Sequence, residues 1–190
     1  MVTRCAESLK DTYEQIRLKM ITLGLIHCDE TGSRVDGKTC WVHVASDQNY
    51  TYLTINQKRG QAGMDAANVL PHANGIIMHD CRSSYWKYQN VTHAICCAHL
   101  LRELNGVIEN HPEQTWAVRF KKLLLDMKKV RDKALLLDKD EVSYYHRHKF
   151  DMEYDSIIKT AYGENPFPET PAKALWFALH WSSRHQGQAK

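Results

Sequence analysis

Three short apolar runs joined by tight turns constrain the fold of this chain more than any other feature. The connections contain Asp36-Gly37, a strong hairpin-turn dipeptide, and Asp47-Gln48-Asn49. The runs are GLIHCDE (24–30), KTCWVHVAS (38–46) and YTYLTIN (50–56). Strands linked by so few residues pair antiparallel, because a parallel partner needs a crossover of about a dozen residues or more. The sequence therefore predicts a three-stranded antiparallel meander.

Two further apolar runs each lie next to a helical segment. Residues 59–73 (RGQAGMDAANVLPHA) lose the two-residue period, read as helical, and lead through Asn74-Gly75 into the apolar run GIIMHD (75–80). Residues 92–109 (THAICCAHLLRELNGVIE) begin as a short apolar run and grade into a helix. A strand reached through a helix is usually parallel to its neighbour. The pattern as a whole predicts an α/β protein with a mixed sheet.

The flanking segments are predicted to be helical. An amphipathic helix is expected over residues 6–23, and from Pro112 onward apolar residues recur at steps of three and four. A second helix is predicted over about 141–161, followed by the loop GENPFPETP and a last helix from near Ala172. We predict an N-terminal helix over 1–24, an α/β core over 25–111 and a helical region over 112–190.

Composition narrows the class of protein. With 190 residues, 43% of them hydrophobic, the chain can bury one substantial core. No run approaches the 18 or so apolar residues of a membrane span, and the N-terminus lacks a secretion signal, so we expect a cytoplasmic protein without membrane partners. Six irregularly spaced cysteines predict free thiols. A net charge of +3 and a pI near 8.5 permit nucleic-acid binding without establishing it.

Two acids each follow an apolar run. Asp29 closes the first predicted strand, and Asp80 closes a strand that the order of elements allows to lie beside it. Two carboxylates on neighbouring strands repel each other, and a divalent cation relieves that repulsion. The other interpretation is that each aspartate begins a solvated turn. Spacing alone leaves both interpretations open, because two acids 51 residues apart form no motif.

Four ordered motifs resemble those of the insertion sequence 66 type transposases. They are Asp29-Glu30-Thr31 near the end of the first strand, QKRGQAG (57–63), Asp80 followed five residues on by Tyr85, and Cys96, Ala98, His99 and Arg102 in a Cys-x-Ala-His-x-x-Arg pattern. The resemblance covers residues 27–102 specifically, and the helical remainder only in character. It implies that residues 25–111 are the catalytic core and residues 112–190 a helical insertion. It implies a ribonuclease H-like fold, in which three antiparallel strands precede parallel strands and helices.

The resemblance also implies a function. Asp29 and Asp80 would be the first two acids of a DDE site that binds Mg²⁺ (or Mn²⁺), cleaves DNA and transfers the freed 3′-hydroxyl. DNA, as transposon ends and target, would be the partner, and transposases of this kind commonly self-associate. Adjacent side chains alternate across a strand, so Glu30 is expected to face away from the metal that Asp29 binds.

The C-terminal part of the sequence lacks one motif of the family. The family carries its third acid, a glutamate, on a helix after an Asn-Asn pair, and this chain contains no Asn-Asn-x-x-Glu. We therefore expect an incomplete catalytic domain. A non-catalytic remnant that binds DNA or another transposase subunit is the alternative, and a nuclease that uses His99 as its third ligand is a further one.

Several basic residues are candidate DNA contacts. Arg59 is predicted either to contact phosphate or to cap a strand, whereas His99 and Arg102 are expected at the cleft from the resemblance. The basic face over residues 119–133 is either a solvated surface or a track for a DNA backbone, and its candidates are Lys121, Lys122, Lys128 and Lys129. Tyr85, Trp86 and Tyr88 are expected to pack in the core rather than to stack on a base. Cys96, Cys97 and His99 lack the second ligand pair of a zinc site.

Overall fold

The computed structural model describes residues 2–165 of the chain. A five-stranded sheet has the strand order β3-β2-β1-β4-β5, with β1 at Leu25–Val35, β2 at Lys38–Ser46, β3 at Thr51–Asn56, β4 at Ile76–His79 and β5 at Thr92–Ile95. β1, β2 and β3 pair antiparallel, whereas β4 is parallel to β1 and to β5. This is the ribonuclease H-like mixed sheet that the sequence predicted, and the prediction is confirmed.

The first hairpin extends further than expected. β1 runs to Val35, five residues beyond the predicted strand, because Asp36 and Gly37 form its turn with φ values of +50° and +75°. Two consecutive residues with positive φ give a turn whose twist matches that of the flanking strands, so pairing continues to Val35 and Lys38. β1 is the central strand of the sheet, because it pairs with β2 on one side and with β4 on the other.

The start of β4 lies close to the end of the segment that precedes β1. The Ile76 amide donates to the Gly24 carbonyl at 2.9 Å, and a Cβ placed on Gly75 would lie 2.7 Å from the carbonyl oxygens of both Leu23 and Gly24. Only glycine fits this approach without a backbone shift. Gly75 therefore helps to set the position at which β4 begins pairing with β1.

The helices follow the sequence pattern with local differences. They are α1 at Val2–Ser8, α2 at Lys10–Ile21, α3 at Gln61–Ala66, α4 at Cys97–Asn110, α5 at Thr115–Leu136 and α6 at Tyr144–Glu164. The single helix predicted over 6–23 is divided at Leu9, whose φ of −95° and ψ of −3° depart from regular helix values. Short 3₁₀ turns lie at Leu70–His72 and Tyr85–Lys87. The helix predicted from Ala172 lies outside the described residues.

The chain divides into two compact units, Met1–His99 and Leu100–Lys190. The first unit holds the sheet and a core built around Met20, Ile26 and Ile77, all with no exposed surface. In the second unit, Trp116, Leu123 and Ile157 are the centre of a separate apolar cluster between α5 and α6. No helix within residues 2–165 is both long and apolar enough to cross a membrane. The boundaries predicted at residues 24 and 111 stay predictions.

Candidate metal centre

Asp29 and Asp80 come from neighbouring parallel strands with a common register. Leu25 pairs with Ile76 and His27 with Met78, so partners differ by 51 residues, which is also the separation of Asp29 and Asp80. The pairs end at His27 and Met78, two residues before each acid. Continuing the same register would set Asp29 beside Asp80, so the fold places both acids just beyond the paired ends of neighbouring parallel strands, at the same edge of the sheet.

Burial alternates in the same sense on the two segments that carry the acids. Along β1, Cys28 and Glu30 are buried, whereas Asp29 is exposed. Beside it, His79 is buried and Asp80 is half-buried. Since side chains alternate along a strand, Asp29 points to the face opposite the buried core, and Asp80, just beyond the end of β4, is the more exposed neighbour of the buried His79. The prediction that Glu30 faces away from Asp29 is confirmed.

Backbone amides orient both carboxylates. The Glu30 amide donates to Asp29 Oδ1 at 2.8 Å, and the Arg82 amide donates to Asp80 Oδ1 at 3.0 Å. The second contact is an Asx turn, in which an aspartate bonds to the backbone two residues on. Each contact engages one oxygen of its carboxylate. A charge-assisted bond from an amide reduces the freedom of each side chain before any ligand binds.

Glu30 is the centre of a buried network behind the two aspartates. Its side chain has no exposed surface, and its Oε2 accepts a 2.8 Å hydrogen bond from the Tyr85 hydroxyl. Arg59 Nε donates to Glu30 Oε1 at 3.1 Å, and Arg82 Nε lies 3.4 Å from the same oxygen. The Arg59 guanidinium also lies over the Trp41 ring, 4.3 Å from its centroid. The two hydrogen bonds and the Arg82 ion pair offset the free-energy cost of removing the Glu30 carboxylate from water.

Burial and the Glu30 charge raise the pKa of two neighbouring groups. Burial, with the nearby charges of Glu30 and Asp29, raises the pKa of the Cys28 thiol to about 12. The same causes, burial first and then the Glu30 carboxylate, raise the pKa of Tyr85 far above its usual range. Both groups therefore stay neutral at physiological pH, so the Tyr85 hydroxyl remains a hydrogen-bond donor to Glu30.

A second network fixes the end of β4. The Cys81 amide donates to His79 Nδ1 at 3.0 Å, so the ring proton resides on Nε2, which lies 3.0 Å from His93 Nδ1. His93 Nε2 in turn lies 3.0 Å from the Tyr88 carbonyl and donates to it. Burial, followed by the neighbouring His93, lowers the pKa of His79 to about 4. A neutral imidazole pair thus joins β4 to β5 immediately before Asp80.

The chemistry of the two aspartates fits a hard divalent cation. Magnesium prefers carboxylate oxygens, keeps several of its waters and is commonly bound by one or two carboxylates. Within residues 2–165, no group of three or more His, Cys, Asp or Glu side chains is arranged to hold a metal ion. The fit therefore rests on two protein ligands, and the zinc site at Cys96, Cys97 and His99 finds no support in the part of the chain described.

Sequence reasoning did not anticipate the surroundings of Glu30. Arg82 was not a candidate, and Arg59 was expected to contact phosphate or to cap a strand, whereas its Nε binds Glu30. An acid directly after Asp29 in a strand that alternates was the available signal, because a buried glutamate needs a cationic partner. Tyr85 and Tyr88 are buried and bond to Glu30 and Asp65, so the prediction of core packing is confirmed for both.

The other candidate DNA contacts lie on the helices. His99, in the first turn of α4, is half-buried, and its buried Nδ1 has no hydrogen-bond partner among the described residues, while Arg102 is exposed. Lys121 is half-buried on α5, and Lys122, Lys128 and Lys129 are exposed. These three lysines make ion pairs within the helix, with Asp126 or Asp132. Their role in DNA binding stays a prediction.

The sheet order, the strand directions and the paired carboxylates define a ribonuclease H-like α/β domain with a candidate metal centre. A family model described as Transposase IS66 family matches residues 1–176. The chain belongs to the IS66 family of transposases, and the resemblance seen in its motifs is confirmed. The comparison with curated proteins found no match.

Two solved structures show a weaker likeness. Both are of the HTLV-2 integrase catalytic core domain in complex with magnesium, and both are 14% identical with a TM-score of 0.33. The dimeric form covers 47% of this chain and 74% of that chain, and the trimeric form covers 80% and 93%. A similarity this distant does not by itself define a fold or an activity.

Proposed function

We propose that this chain is a transposase catalytic domain in which Asp29 and Asp80 hold Mg²⁺ (or Mn²⁺) for DNA strand cleavage and 3′-hydroxyl transfer. The register of β1 and β4, which would set the two acids side by side if it continued for two residues, carries the proposal. Membership of the transposase family supplies the reaction class. DNA is the substrate in this proposal, and the third acid of the site is assigned to no described residue.

The chain's own residues would act mainly by positioning. The amides of Glu30 and Arg82 orient one oxygen of each aspartate, and the sheet keeps the two strands at a fixed spacing. A bound divalent cation would neutralise the repulsion between the carboxylates and the charge that develops on the phosphate. Positioning and charge neutralisation are the dominant contributions in phosphoryl transfer, since the protein itself does little covalent chemistry.

The surface of α5 supports DNA as the partner. It carries seven basic residues against two acidic ones, and the basic residues are Arg119, Lys121, Lys122, Lys128, Lys129, Arg131 and Lys133. Pairing with Asp126 and Asp132 offsets only part of this charge, so the helix keeps a net positive face. Binding that uses this face would weaken as salt increases, because counterions compete for the phosphates.

Nicking of supercoiled plasmid by the full chain tests the proposal. Because the chain contains no Asn-Asn-x-x-Glu, we expect only weak nicking, which needs Mg²⁺ or Mn²⁺ and is lost in Asp29→Asn and in Asp80→Asn. Asp36→Asn is the matched control, because it removes a carboxylate from the turn after β1 at a φ that asparagine tolerates. Nicking that survives Asp80→Asn would contradict the assignment. Salt-sensitive DNA binding without metal-dependent nicking would favour the non-catalytic alternative.

A further inference from the structure

Glu30 and Tyr85 connect the segments that carry the two aspartates. Glu30 directly follows Asp29 on β1, and its Oε2 accepts the Tyr85 hydroxyl at 2.8 Å. The Tyr85 ring in turn stacks on His79, the residue before Asp80, with ring centroids 4.6 Å apart and planes 23° apart. One buried side chain therefore contacts the immediate neighbours of both aspartates.

Arg82 adds a second connection through the same carboxylate. Its amide orients Asp80, while its Nε lies 3.4 Å from Glu30 Oε1. Arg82 Nε has no hydrogen-bond partner among the described residues, so the segment from Asp80 to Tyr85 is joined to Glu30 by the Tyr85 hydrogen bond and the Arg82 ion pair. Tyr85 itself is only 1% exposed. β4 ends at His79, so Glu30 links a segment that lies beyond the paired strand to β1.

We propose that Glu30, acting through Tyr85 and Arg82, is a positioning residue that holds Asp80 beside Asp29 for metal binding, and that it is not itself a metal ligand. The inference rests on the proposed function, because it assigns a role toward the same metal. Groups that orient metal ligands are known to affect affinity strongly although they never touch the ion. The buried position of Glu30, on the face of β1 opposite Asp29, separates its role from that of a ligand.

The chain offers a matched control for the Tyr85 hydroxyl. Tyr88 is 5% exposed, and its hydroxyl donates to Asp65 Oδ1 at 2.7 Å. Tyr85→Phe and Tyr88→Phe each remove one hydroxyl from a buried ring that bonds to a carboxylate. Only the first removes a connection between the segments that carry Asp29 and Asp80, so the two variants separate positioning of the site from general stability.

Titration of the full chain with Mn²⁺, followed by the electron paramagnetic resonance signal of the free ion, is the test. Tyr85→Phe is expected to weaken Mn²⁺ binding about tenfold, whereas Tyr88→Phe is expected to change it by less than about twofold because its site is independent. Equal effects of Tyr85→Phe and Tyr88→Phe, with Asp29→Asn abolishing binding, would overturn the positioning role alone. Unchanged binding in Asp29→Asn would instead overturn the proposed function.

Glu30→Gln provides a second variant that does not depend on Tyr85→Phe folding. It removes the charge that holds Arg82 and is expected to weaken Mn²⁺ binding about tenfold or more. If both groups act through one connection, the double variant Glu30→Gln with Tyr85→Phe binds Mn²⁺ no more weakly than Glu30→Gln alone. Fully additive losses, or Glu30→Gln that binds like the unsubstituted chain, would contradict the proposal.

Discussion

Asp29 and Glu30 are neighbours in the chain, yet they lie on opposite faces of β1, where Asp29 is exposed and the Glu30 side chain has no exposed surface. Two adjacent acids therefore have separate physical roles. Asp29 is free to meet a ligand on the outer face, whereas Glu30 bonds to Tyr85 and Arg59 within the unit. Asp29 and Glu30 can therefore be tested by different substitutions.

Removal of the Glu30 carboxylate is expected to destabilise the fold. Glu30→Ala leaves the Tyr85 hydroxyl and Arg59 Nε without their acceptor and Arg82 without its ion-pair partner, at a cost of about 2 to 3 kcal/mol, since the partly exposed arginines regain some water. Chemical denaturation monitored by circular dichroism measures the change. Glu141→Ala, which breaks an exposed pair with Arg147, is the control and is expected to have far less effect. Equal losses in the two variants would contradict the buried network.

Cys28 is expected to resist alkylation in the native protein. Its thiol is buried and its pKa is raised to about 12, so little thiolate exists at pH 8 and reagents have no access to it. Exposed Cys5 is the internal comparison. Brief treatment with iodoacetamide followed by mass spectrometry should modify Cys5 first and Cys28 only after unfolding. Early modification of Cys28 would show that the inner face of β1 is open to solvent.

Stability is expected to fall with decreasing pH because of His79. Its pKa is about 4 in the folded chain against an ordinary value of 6.5, so the unfolded state binds the extra proton between these values. The stabilisation is complete above about pH 6.5 and is lost progressively toward pH 4, by roughly 3 kcal/mol for such a pKa difference.

The measurement is the free energy of unfolding from pH 7 to pH 4, without added metal, for the unsubstituted chain and for His79→Gln. The variant should show a shallower decline, because it has no imidazole to protonate at this position. Parallel curves would mean that His79 does not carry the pH dependence.

Gly75→Ala is expected to disturb the start of β4. The added methyl group would lie 2.7 Å from two backbone carbonyl oxygens, which forces a shift costing about 1 to 3 kcal/mol. Gly106→Ala is the control: it lies within α4 with open space around the added atom, and it is expected to stabilise by about 0.5 to 1 kcal/mol. Thermal unfolding should show a lower melting temperature for Gly75→Ala and a higher melting temperature for Gly106→Ala than for the unsubstituted chain.

The sheet was predictable because its sequence signals are local. Asp36-Gly37 predicts the first hairpin, and the helical segment before Ile76 predicts a parallel strand. Both the direction and the pairing of these strands therefore followed from short-range patterns. The length of β1 was underestimated, since residues 31–35 carry little apolar signal and pair only because the turn permits it.

The site was predictable only in part. The motifs indicated Asp29 and Asp80, and alternation along the strand gave the direction of Glu30. The partners of Glu30 were not accessible in the same way, because Arg59 and Arg82 lie 29 and 52 residues away in sequence and meet it only through tertiary folding. No local pattern encodes such a contact.

Mn²⁺ binding to single-aspartate variants tests the central claim most directly. The full chain and the control Asp36→Asn are expected to bind Mn²⁺ alike, whereas Asp29→Asn and Asp80→Asn should each abolish binding while retaining the native circular dichroism spectrum. Such a result would establish that the two strands hold one metal together. Undiminished binding in Asp29→Asn and Asp80→Asn, with the fold intact, would contradict the account.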